Sequence, residues 1–341
     1  MQLTWSELVA RMLAQTPLAA RSVVAIKPLT GGVSSDIVEI VLDDGQRLCA
    51  KRALAKLKVA STWTVPVERN HYEVAWLRRA ASIAPRAVPR VLVEDQESRA
   101  LIMEFLPSEN YALWKAELLQ ERCDPGAPAA VAAVLAQIHA ATWGDASVER
   151  QFPTGALFDA LRLDPYLRTL TLRWPSLKAT LDAVIAETAA TRLALVHGDV
   201  SPKNILLSRA DGHPVLLDAE CAWYGDPAFD AAFCMNHLLL KALHLPAIRP
   251  ALFGGAATFL DTWLAGLPVK KRADAKRRTL RLLPCLLLAR VDGKSPVEYL
   301  DATNRARIRQ FAPPLIEQPP GELAGIVSAI KAAAFHKEVP S

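Results

Sequence analysis

The sequence predicts an α+β protein in two parts: a small antiparallel β-sheet with one main helix, and a larger, mostly helical remainder. Short β-branched runs separated by turn signals fill residues 23–52, a pattern typical of antiparallel strands. Apolar residues at helical spacing dominate from residue 111 onward. Leu106-Pro107-Ser108 separates the two patterns, because proline favours an extended connection. We therefore predict an N-terminal lobe over residues 1–106 and a C-terminal lobe over residues 107–341.

The N-terminal lobe begins with apolar and polar residues at helical spacing over 3–15, which predicts an amphipathic helix. Residues 30–36 form a turn rich in small residues, and Asp43-Asp44-Gly45 is a hairpin signal between two strands. Glu68–Ala80 carries apolar residues at helical positions and predicts the main helix of this lobe. The predicted strands cover residues 23–29, 37–42, 46–52, 88–94 and 100–105.

The C-terminal lobe is predicted to be mainly helical, with short strands around one polar loop. Three apolar runs, at residues 193–196, 205–207 and 215–217, predict these strands. The charged run 270–278 is typical of a solvated helix face. The predicted helices cover residues 111–120, 128–143, 155–162 and 176–190.

Composition indicates an ordinary globular protein. The sequence is 51% hydrophobic and 22% charged, which disfavours extended disorder. Its 40 Lys and Arg against 35 Asp and Glu give a net charge of +5, which neither requires nor excludes nucleic acid; we expect no nucleic-acid partner. Five cysteines without a Cys-x-x-Cys pair disfavour zinc and disulfide frameworks and fit a reducing compartment. The first residues do not resemble a signal peptide, and the apolar runs are too short for a bilayer. We expect a cytoplasmic protein without a membrane partner; the sequence does not indicate its oligomeric state.

The ends of the three apolar runs carry the residues with the clearest chemistry. His197-Gly198-Asp199 ends the first run, Asn204 stands five residues after Asp199, and Asp218 ends the third run. We expect Asp199, Asn204 and Asp218 to converge on one point. Two carboxylates and one amide oxygen are hard ligands that suit Mg²⁺ beside phosphate oxygens. A carboxylate at this point can also accept a proton from an attacking hydroxyl group.

The loop that contains these residues resembles a known family. His197-Gly198-Asp199-Val200-Ser201-Pro202-Lys203-Asn204 has the His-x-Asp-x-x-x-x-Asn spacing of a kinase catalytic loop. With glycine after the histidine, it resembles the aminoglycoside phosphotransferase and choline kinase superfamily. Asp218-Ala219-Glu220, with Tyr224-Gly225-Asp226-Pro227 and Asp230, resembles the choline kinase and methylthioribose kinase side of that group. The resemblance covers roughly residues 20–300.

This resemblance implies a two-lobed protein-kinase-like fold and an ATP- and Mg²⁺-dependent O-phosphotransferase. Such an enzyme moves the γ-phosphoryl group of ATP to a hydroxyl of a small molecule: a sugar, an amino alcohol, a hydroxy metabolite or an antibiotic. Two alternatives stay open, a catalytically inactive nucleotide-binding regulatory protein of the same fold and a protein kinase. The short span between Asp218 and Asp230 offers little docking surface for a peptide, which disfavours the protein kinase.

For the catalytic loop, the resemblance implies a separate role for each residue. Asp199 is the base that orients and deprotonates the acceptor hydroxyl. Asn204 and Asp218 hold Mg²⁺, which neutralises charge on the β- and γ-phosphoryl oxygens. We expect His197 to brace the loop through hydrogen bonds; a direct part in the chemistry is the alternative.

Lys51 is the lysine that the resemblance places on the α- and β-phosphates of the nucleotide. It follows apolar residues on a predicted strand, and a buried lysine needs an anion nearby. Glu73 on the next helix is the expected partner. Arg52 and Glu68 are the competing candidates for these two roles. Alternation along a strand puts Lys51 and Arg52 on opposite faces, so only one of them can face the nucleotide cleft.

Two further segments are expected to contact the nucleotide. A glycine pair followed by serines can place bare backbone amides against phosphate, although a plain hairpin is the alternative. The extended segment 100–106 offers the Glu104 carbonyl and the Leu106 amide to an adenine edge, with Met103 lining the pocket; a buried strand without ligand contact is the alternative. The residues of the phosphate-covering loop are Gly31, Gly32, Ser34 and Ser35.

Candidate residues for binding the acceptor follow the metal site in the chain. They are Glu220, Trp223, Tyr224, His237 and Arg290. Core packing is the alternative for Trp223 and Tyr224. Basic residues in this part of the chain, Arg290 among them, indicate an anionic acceptor or a neutral polyol. Lys203 either touches the transferring phosphoryl group or is solvated.

Overall fold

The N-terminal lobe is built on a five-stranded antiparallel sheet. Its strands are β1 (Val23–Pro28), β2 (Ser35–Leu42), β3 (Arg47–Ala53), β4 (Val91–Asp95) and β5 (Ala100–Glu104). The computed structural model describes residues 3–29, 35–54 and 67–335, and its strand order is β1-β2-β3-β5-β4. Strand β3, which carries Lys51, is therefore the central strand and is paired on both sides. The structure confirms the α+β class predicted from the sequence.

Helix α1 (Trp5–Leu13) packs on one face of this sheet. Its apolar side buries Leu8, Val9 and Met12 against sheet residues that include Ile40. These residues form a small hydrophobic core that is separate from the main one. Full burial of such a side chain stabilises the fold by roughly 1.5–3 kcal/mol, so this helix fixes the sheet from the side opposite the cleft.

Helix α2 (Arg69–Ile83) lies between the sheet and the C-terminal lobe. Its Trp76 is fully buried in the main hydrophobic core, together with C-terminal residues such as Leu195. The Trp76 ring meets the His197 ring edge-on, with 4.7 Å between the ring centroids. Glu73 is therefore held on a helix that contacts both lobes, and residue 106 remains our proposed boundary between them.

The rest of the C-terminal lobe is mostly helical, and helix α9 (Ala228–His244) at its centre is buried along nearly its whole length. Within the described ranges, the helices do not include one with the length and apolar character needed to cross a bilayer. The helices are α3 (Trp114–Leu119), α4 (Ala127–Ala141), α5 (Ala146–Gln151), α6 (Gly155–Phe158), α7 (Thr169–Arg173), α8 (Lys178–Ala190), α9 (Ala228–His244), α10 (Arg249–Gly266), α11 (Arg272–Asp292), α12 (Ala302–Glu317) and α13 (Leu323–Phe335).

Two small antiparallel sheets support the polar loop between 196 and 218. One pairs β6 (Tyr111–Leu113) with β8 (Ile205–Ser208), which in turn pairs with β9 (Pro214–Leu216). The other pairs β7 (Ala194–Val196) with β10 (Trp223–Gly225). The helix predicted over 111–120 is wrong in its first three residues, because pairing with β8 overrides the local helical pattern.

Residues Asp159–Arg168 form a wide, π-helical stretch that joins α6 to α7. Pro165 lies inside it and cannot donate a backbone hydrogen bond, which is a cause of irregularity in a helix. The helix predicted over 155–162 therefore continues well beyond that range. This irregular stretch carries Arg162 into the interior, where it faces the catalytic loop.

Candidate active site

The loop after β7 is braced from within by His197. Its Nδ1 accepts a hydrogen bond from the Asp199 backbone N–H at 3.1 Å, so its Nε2 donates to the Leu217 carbonyl at 3.1 Å. Burial lowers the pKa of His197, which keeps the ring neutral and suited to this donor–acceptor role. The histidine thereby ties Asp199 to the residue that precedes Asp218, as the bracing role predicts.

Asp230, in the first turn of α9, fixes the backbone of the same loop through hydrogen bonds. Its carboxylate accepts hydrogen bonds from the backbone N–H groups of His197 and Gly198, both at 2.8 Å. The Nε2 atom of His139 lies 3.2 Å from the same carboxylate, and Trp263 Nε1 donates to His139 Nδ1 at 3.0 Å. All of these groups are buried, so the start of α9 fixes where the catalytic loop begins.

Gly198 is the residue between the histidine and the aspartate, and a side chain does not fit there. Its φ is +78°, a backbone conformation that residues with a Cβ rarely adopt. A Cβ built at this position would lie 2.6 Å from the Cys221 carbonyl oxygen. The tight approach to Cys221 brings the start of the loop close to the segment after Asp218.

Asp199 is nearly buried and contacts two cations. Its Oδ2 lies 3.0 Å from Arg162 Nη2 and 3.0 Å from Lys203 Nζ. Burial alone would raise the pKa of Asp199, but Lys203 and Arg162 hold it below its ordinary value. The group is therefore a carboxylate, able to accept a proton. Lys203 remains half exposed while it touches this carboxylate, so it is both solvated and part of the site.

Arg162 is a functional residue that the sequence analysis missed. Its Nε donates to the Gly198 carbonyl at 2.5 Å, and its Nη1 donates to the Leu161 carbonyl at 2.7 Å. The guanidinium also lies 5.6 Å from the centre of the Phe233 ring. An arginine directly between Leu161 and Leu163 is the signal that was available, because a charge that is buried with such neighbours needs a partner.

The structure brings Asn204 and Asp218 to the same place as Asp199. Asn204 Nδ2 donates to the Asp199 carbonyl at 3.1 Å, and the Leu217 N–H donates to the Asn204 carbonyl at 2.9 Å. Asp218 has a φ of +65°, and its Oδ1 contacts Lys51 Nζ. Burial opposes the charge on Asp218, but Lys51 and Lys203 hold its pKa below the usual range. The three side chains therefore converge, as the sequence predicts.

Lys51 and Glu73 form the predicted ion pair, with Lys51 Nζ 2.8 Å from Glu73 Oε1. Burial opposes the charge on Lys51, but Asp218 and Glu73 raise its pKa above the ordinary value. Burial raises the pKa of Glu73 to about 7. Arg52 points to the other face of the sheet, where its Nη1 donates to the Leu3 carbonyl at 3.0 Å. Glu68 lies apart from this pair, 3.7 Å from Arg99.

The structure describes only some of the other residues that are predicted to contact the nucleotide. Gly31, Gly32 and Ser34 lie outside the described residues, and Ser35 begins β2 with a buried side chain. Met103 and Glu104 end β5, next to the connection between the lobes. The Leu106 N–H makes no hydrogen bond to any residue that the structure describes, and its role toward a nucleotide stays a prediction.

Two of the candidate acceptor-binding residues belong to the core instead. Trp223 stacks on Phe158, with 4.1 Å between the ring centroids and an angle of 12°. The Tyr224 hydroxyl donates to the Leu193 carbonyl at 3.0 Å. Both residues are buried with these partners, which favours core packing, the alternative given above, over contact with the acceptor.

The other three acceptor candidates lie around the site. Glu220 pairs with the buried Arg69, with 3.0 Å between Oε2 and Nε. His237 and Arg290 line a cavity beside the catalytic loop, together with Lys203. His237 and Arg290 remain candidates for binding the acceptor. Glu220, through its ion pair with Arg69, anchors the segment after Asp218.

Residues 25–267 match the family described as "Phosphotransferase enzyme family". The chain belongs to this phosphotransferase family. The matched region contains nearly all of the sheet, the catalytic loop and α9, whereas α11, which carries Arg290, lies beyond it.

Two curated relatives of this phosphotransferase family member are methylthioribose kinases. The one from Pectobacterium atrosepticum is 26% identical over 231 residues, which are 59% of this chain and 56% of the relative. The one from Erwinia tasmaniensis is 24% identical over 234 residues, which are 60% of this chain and 57% of the relative. The match thus spans little more than half the length of these relatives.

Solved structures share the two-lobed fold at low sequence identity. An amicoumacin kinase in complex with AMP-PNP, Ca²⁺ and Ami has a TM-score of 0.56 and 13% identity, covering 95% of this chain and 98% of that one. An aminoglycoside phosphotransferase from Alicyclobacillus acidocaldarius has a TM-score of 0.53 and 16% identity, covering 96% of each chain. A choline kinase from Streptococcus pneumoniae has a TM-score of 0.52 and 13% identity, covering 96% and 99%.

Proposed function

We propose that this protein is an ATP- and Mg²⁺-dependent phosphotransferase that moves the γ-phosphoryl group to a hydroxyl of a small molecule. The observation that carries the proposal is the convergence of Asp199, Asn204 and Asp218 beside the Lys51–Glu73 ion pair. These are the parts that phosphoryl transfer needs: a base, oxygen ligands for a metal and a cation for the nucleotide phosphates. Family membership and the methylthioribose kinase relatives support the same reaction class.

Magnesium fits the oxygen donors at this point. The Asn204 amide nitrogen is engaged with the Asp199 carbonyl, which leaves its Oδ1 as a ligand, and Asp218 offers its second carboxylate oxygen. Among the described residues there is no cluster of three His, Cys, Asp or Glu side chains that could hold a metal alone. Phosphate oxygens and water must complete the coordination, which is typical of Mg²⁺. The ion, when bound, neutralises charge on the β- and γ-phosphoryl oxygens.

Asp199 carries the chemistry of the protein itself. The acceptor oxygen forms a bond to the γ-phosphorus, the bond from that phosphorus to the β,γ-bridging oxygen breaks, and ADP leaves. The hydroxyl proton passes to the Asp199 carboxylate. Arg162 and Lys203 keep this carboxylate ionised and oriented before the reaction, because each lies 3.0 Å from its Oδ2. Lys51, held by Glu73, positions the nucleotide phosphates.

Substitution of Asp199 by asparagine tests the proposal. ADP release is measured with a panel of sugars, amino alcohols, hydroxy acids and antibiotics, and nucleotide binding is measured with a fluorescent ATP analogue. We expect turnover to fall by about 10²–10⁴-fold with nucleotide binding retained, since a general base contributes that much. The control is Asp261→Asn, at an exposed position on α10.

Two outcomes would contradict the proposal. If Asp199→Asn retains turnover within tenfold of the wild-type rate, Asp199 is not the base. If the wild type binds nucleotide but releases no ADP with any acceptor, the protein is the nucleotide-binding regulator considered above.

A further inference from the structure

A small, partly open cavity of about 50 Å³ lies beside the catalytic loop, large enough for one end of a ligand. Ser201 and Lys203 of the loop line one side, His237 and Lys241 of α9 line another, and Tyr299 closes it. Lys203 also touches the Asp199 carboxylate, so the cavity adjoins the base directly. A molecule in this cavity can present a hydroxyl group to Asp199.

Several buried polar groups around the cavity lack a partner. Ser201 Oγ, Arg290 Nε and Tyr299 Oη are buried and make no hydrogen bond with any part of the chain that the structure describes. Lys241 is 1% exposed, and its Nζ faces the Tyr299 ring at 4.9 Å rather than a carboxylate. Buried polar groups are almost always hydrogen-bonded in folded proteins, so this set indicates a site that a ligand completes.

The charge around the cavity is strongly positive. Among its lining residues, all of them described, Glu298 is the single carboxylate, and it is already paired with Lys115. Burial and the nearby Lys115 lower the pKa of Lys241 to about 7. Burial, together with the nearby Arg290 and Lys241, holds the pKa of His237 well below its ordinary value. A bound anion would relieve this repulsion, whereas a cationic amine would add to it.

We infer that this cavity receives an oxyanion group of the acceptor, a carboxylate or a phosphate, while the acceptor's hydroxyl faces Asp199. The acceptor is then a hydroxy acid or a phosphorylated alcohol. Lys241 and Arg290 supply the charge, and Ser201 and Tyr299 supply hydrogen bonds. A quaternary ammonium acceptor does not fit, because the Tyr299 ring already faces a lysine and the cavity has no unpaired carboxylate among the described residues. The inference rests on the function proposed above.

Calorimetric titration tests this inference without requiring turnover. The wild type, saturated with AMP-PNP and Mg²⁺, is titrated with two matched sets: glycerate, glycerol phosphate and glycerol, then gluconate, glucose phosphate and glucose. The carboxylate and phosphate arms distinguish the two kinds of acid. The variants are Lys241→Met and Ser201→Ala, with Lys276→Met on the far surface of α11 as the matched control.

At least one acid is expected to bind the wild type at least tenfold more tightly than its neutral analogue. Lys241→Met should weaken that binding by about tenfold to a hundredfold, as loss of a hydrogen bond to a charged group does. Ser201→Ala should weaken it by about twofold to tenfold. Lys276→Met should leave it within twofold, and melting temperatures establish that each variant is folded.

Three results would overturn the inference: no acid binds, the neutral analogues bind as tightly as the acids, or Lys241→Met leaves the affinity for acids unchanged. None of these depends on ADP release. A protein that binds acids through Lys241 but never transfers phosphate would therefore contradict the proposed function alone. A protein that phosphorylates neutral acceptors, and does so equally well after Lys241→Met, would contradict the inference alone.

Discussion

Replacement of Asp230 by asparagine tests whether the start of α9 positions the catalytic base. The Asp230 carboxylate is fully buried and accepts two backbone hydrogen bonds, from His197 and Gly198, at 2.8 Å each. Asparagine has one acceptor oxygen and one amide donor, so it can satisfy only one of these N–H groups. Loss of one bond to a charged acceptor, with a buried N–H left unpaired, costs about 2–3 kcal/mol. A melting temperature lower by roughly 3–4 °C should result in a chain of 341 residues.

The effect on turnover should be larger than the effect on stability. Asp199 directly follows Gly198, and a displacement of about 1 Å at a catalytic group costs about 10²-fold in rate. We expect turnover to fall by about that factor while the KM for nucleotide stays within threefold, because Lys51 and Glu73 are held by other elements. ADP release and differential scanning calorimetry give the two quantities, with Asp261→Asn as the matched control.

The reasoning about Asp230 fails if Asp230→Asn has the turnover and the melting temperature of the wild type. A lower melting temperature with unchanged turnover would reduce Asp230 to a purely structural role. Unchanged stability with a large loss of turnover would mean that the unpaired N–H finds another partner and that Asp230 acts on the reaction by another route.

Three further predictions follow from the same site. Asp218→Asn should lower Mg²⁺-dependent turnover by at least about 10²-fold. Its melting temperature should change little, since Glu73 still pairs with Lys51. If the variant has the turnover of the wild type throughout a Mg²⁺ titration, Asp218 does not hold the metal. Gly198→Ala should lower the free energy of unfolding by about 3 kcal/mol because of its positive φ and the approach to Cys221, and an unchanged urea midpoint would contradict this. The pKa of Lys241 is about 7 in the folded protein, against an ordinary value of 10.5. Between pH 10.5 and pH 7 the unfolded chain binds a proton at Lys241 that the folded protein does not, so the free energy of unfolding falls as the pH falls through this range. The unfolding free energy of the wild type minus that of Lys241→Met should therefore rise between pH 7 and 10.5, and a flat difference in urea titrations would refute the prediction.

The parts of the site that sequence predicted are those fixed by local geometry. Strand alternation separates Lys51 from Arg52, and the structure places them on opposite faces of the sheet. The spacing from Asp199 to Asn204 and Asp218 places all three at the ends of short strands, where they meet. These predictions need only the period of a strand and the length of a loop.

The parts that sequence did not predict depend on partners far along the chain. Tyr111–Leu113 has a helical pattern but pairs with a strand nearly a hundred residues later. Arg162 stands 37 residues before Asp199, and nothing in the local pattern says that they meet. The charged run 270–278 is largely exposed as predicted, but Arg278 is buried and pairs with Asp226 at 2.9 Å. Tertiary packing decides each of these positions, and one sequence does not reveal it.

Helix α9 contacts two parts of the candidate site, the catalytic loop and the neighbouring cavity. Its first turn holds the loop that carries the base, and its third and fourth turns present His237 and Lys241, seven and eleven residues after Asp230. Spacings of seven and eleven put all three on one side of a helix. The later turns can therefore mutate toward new acceptors while the first turn keeps the reaction machinery aligned. Under the function proposed above, positions 237 and 241 therefore offer a simple route to new acceptors, both in evolution and in design.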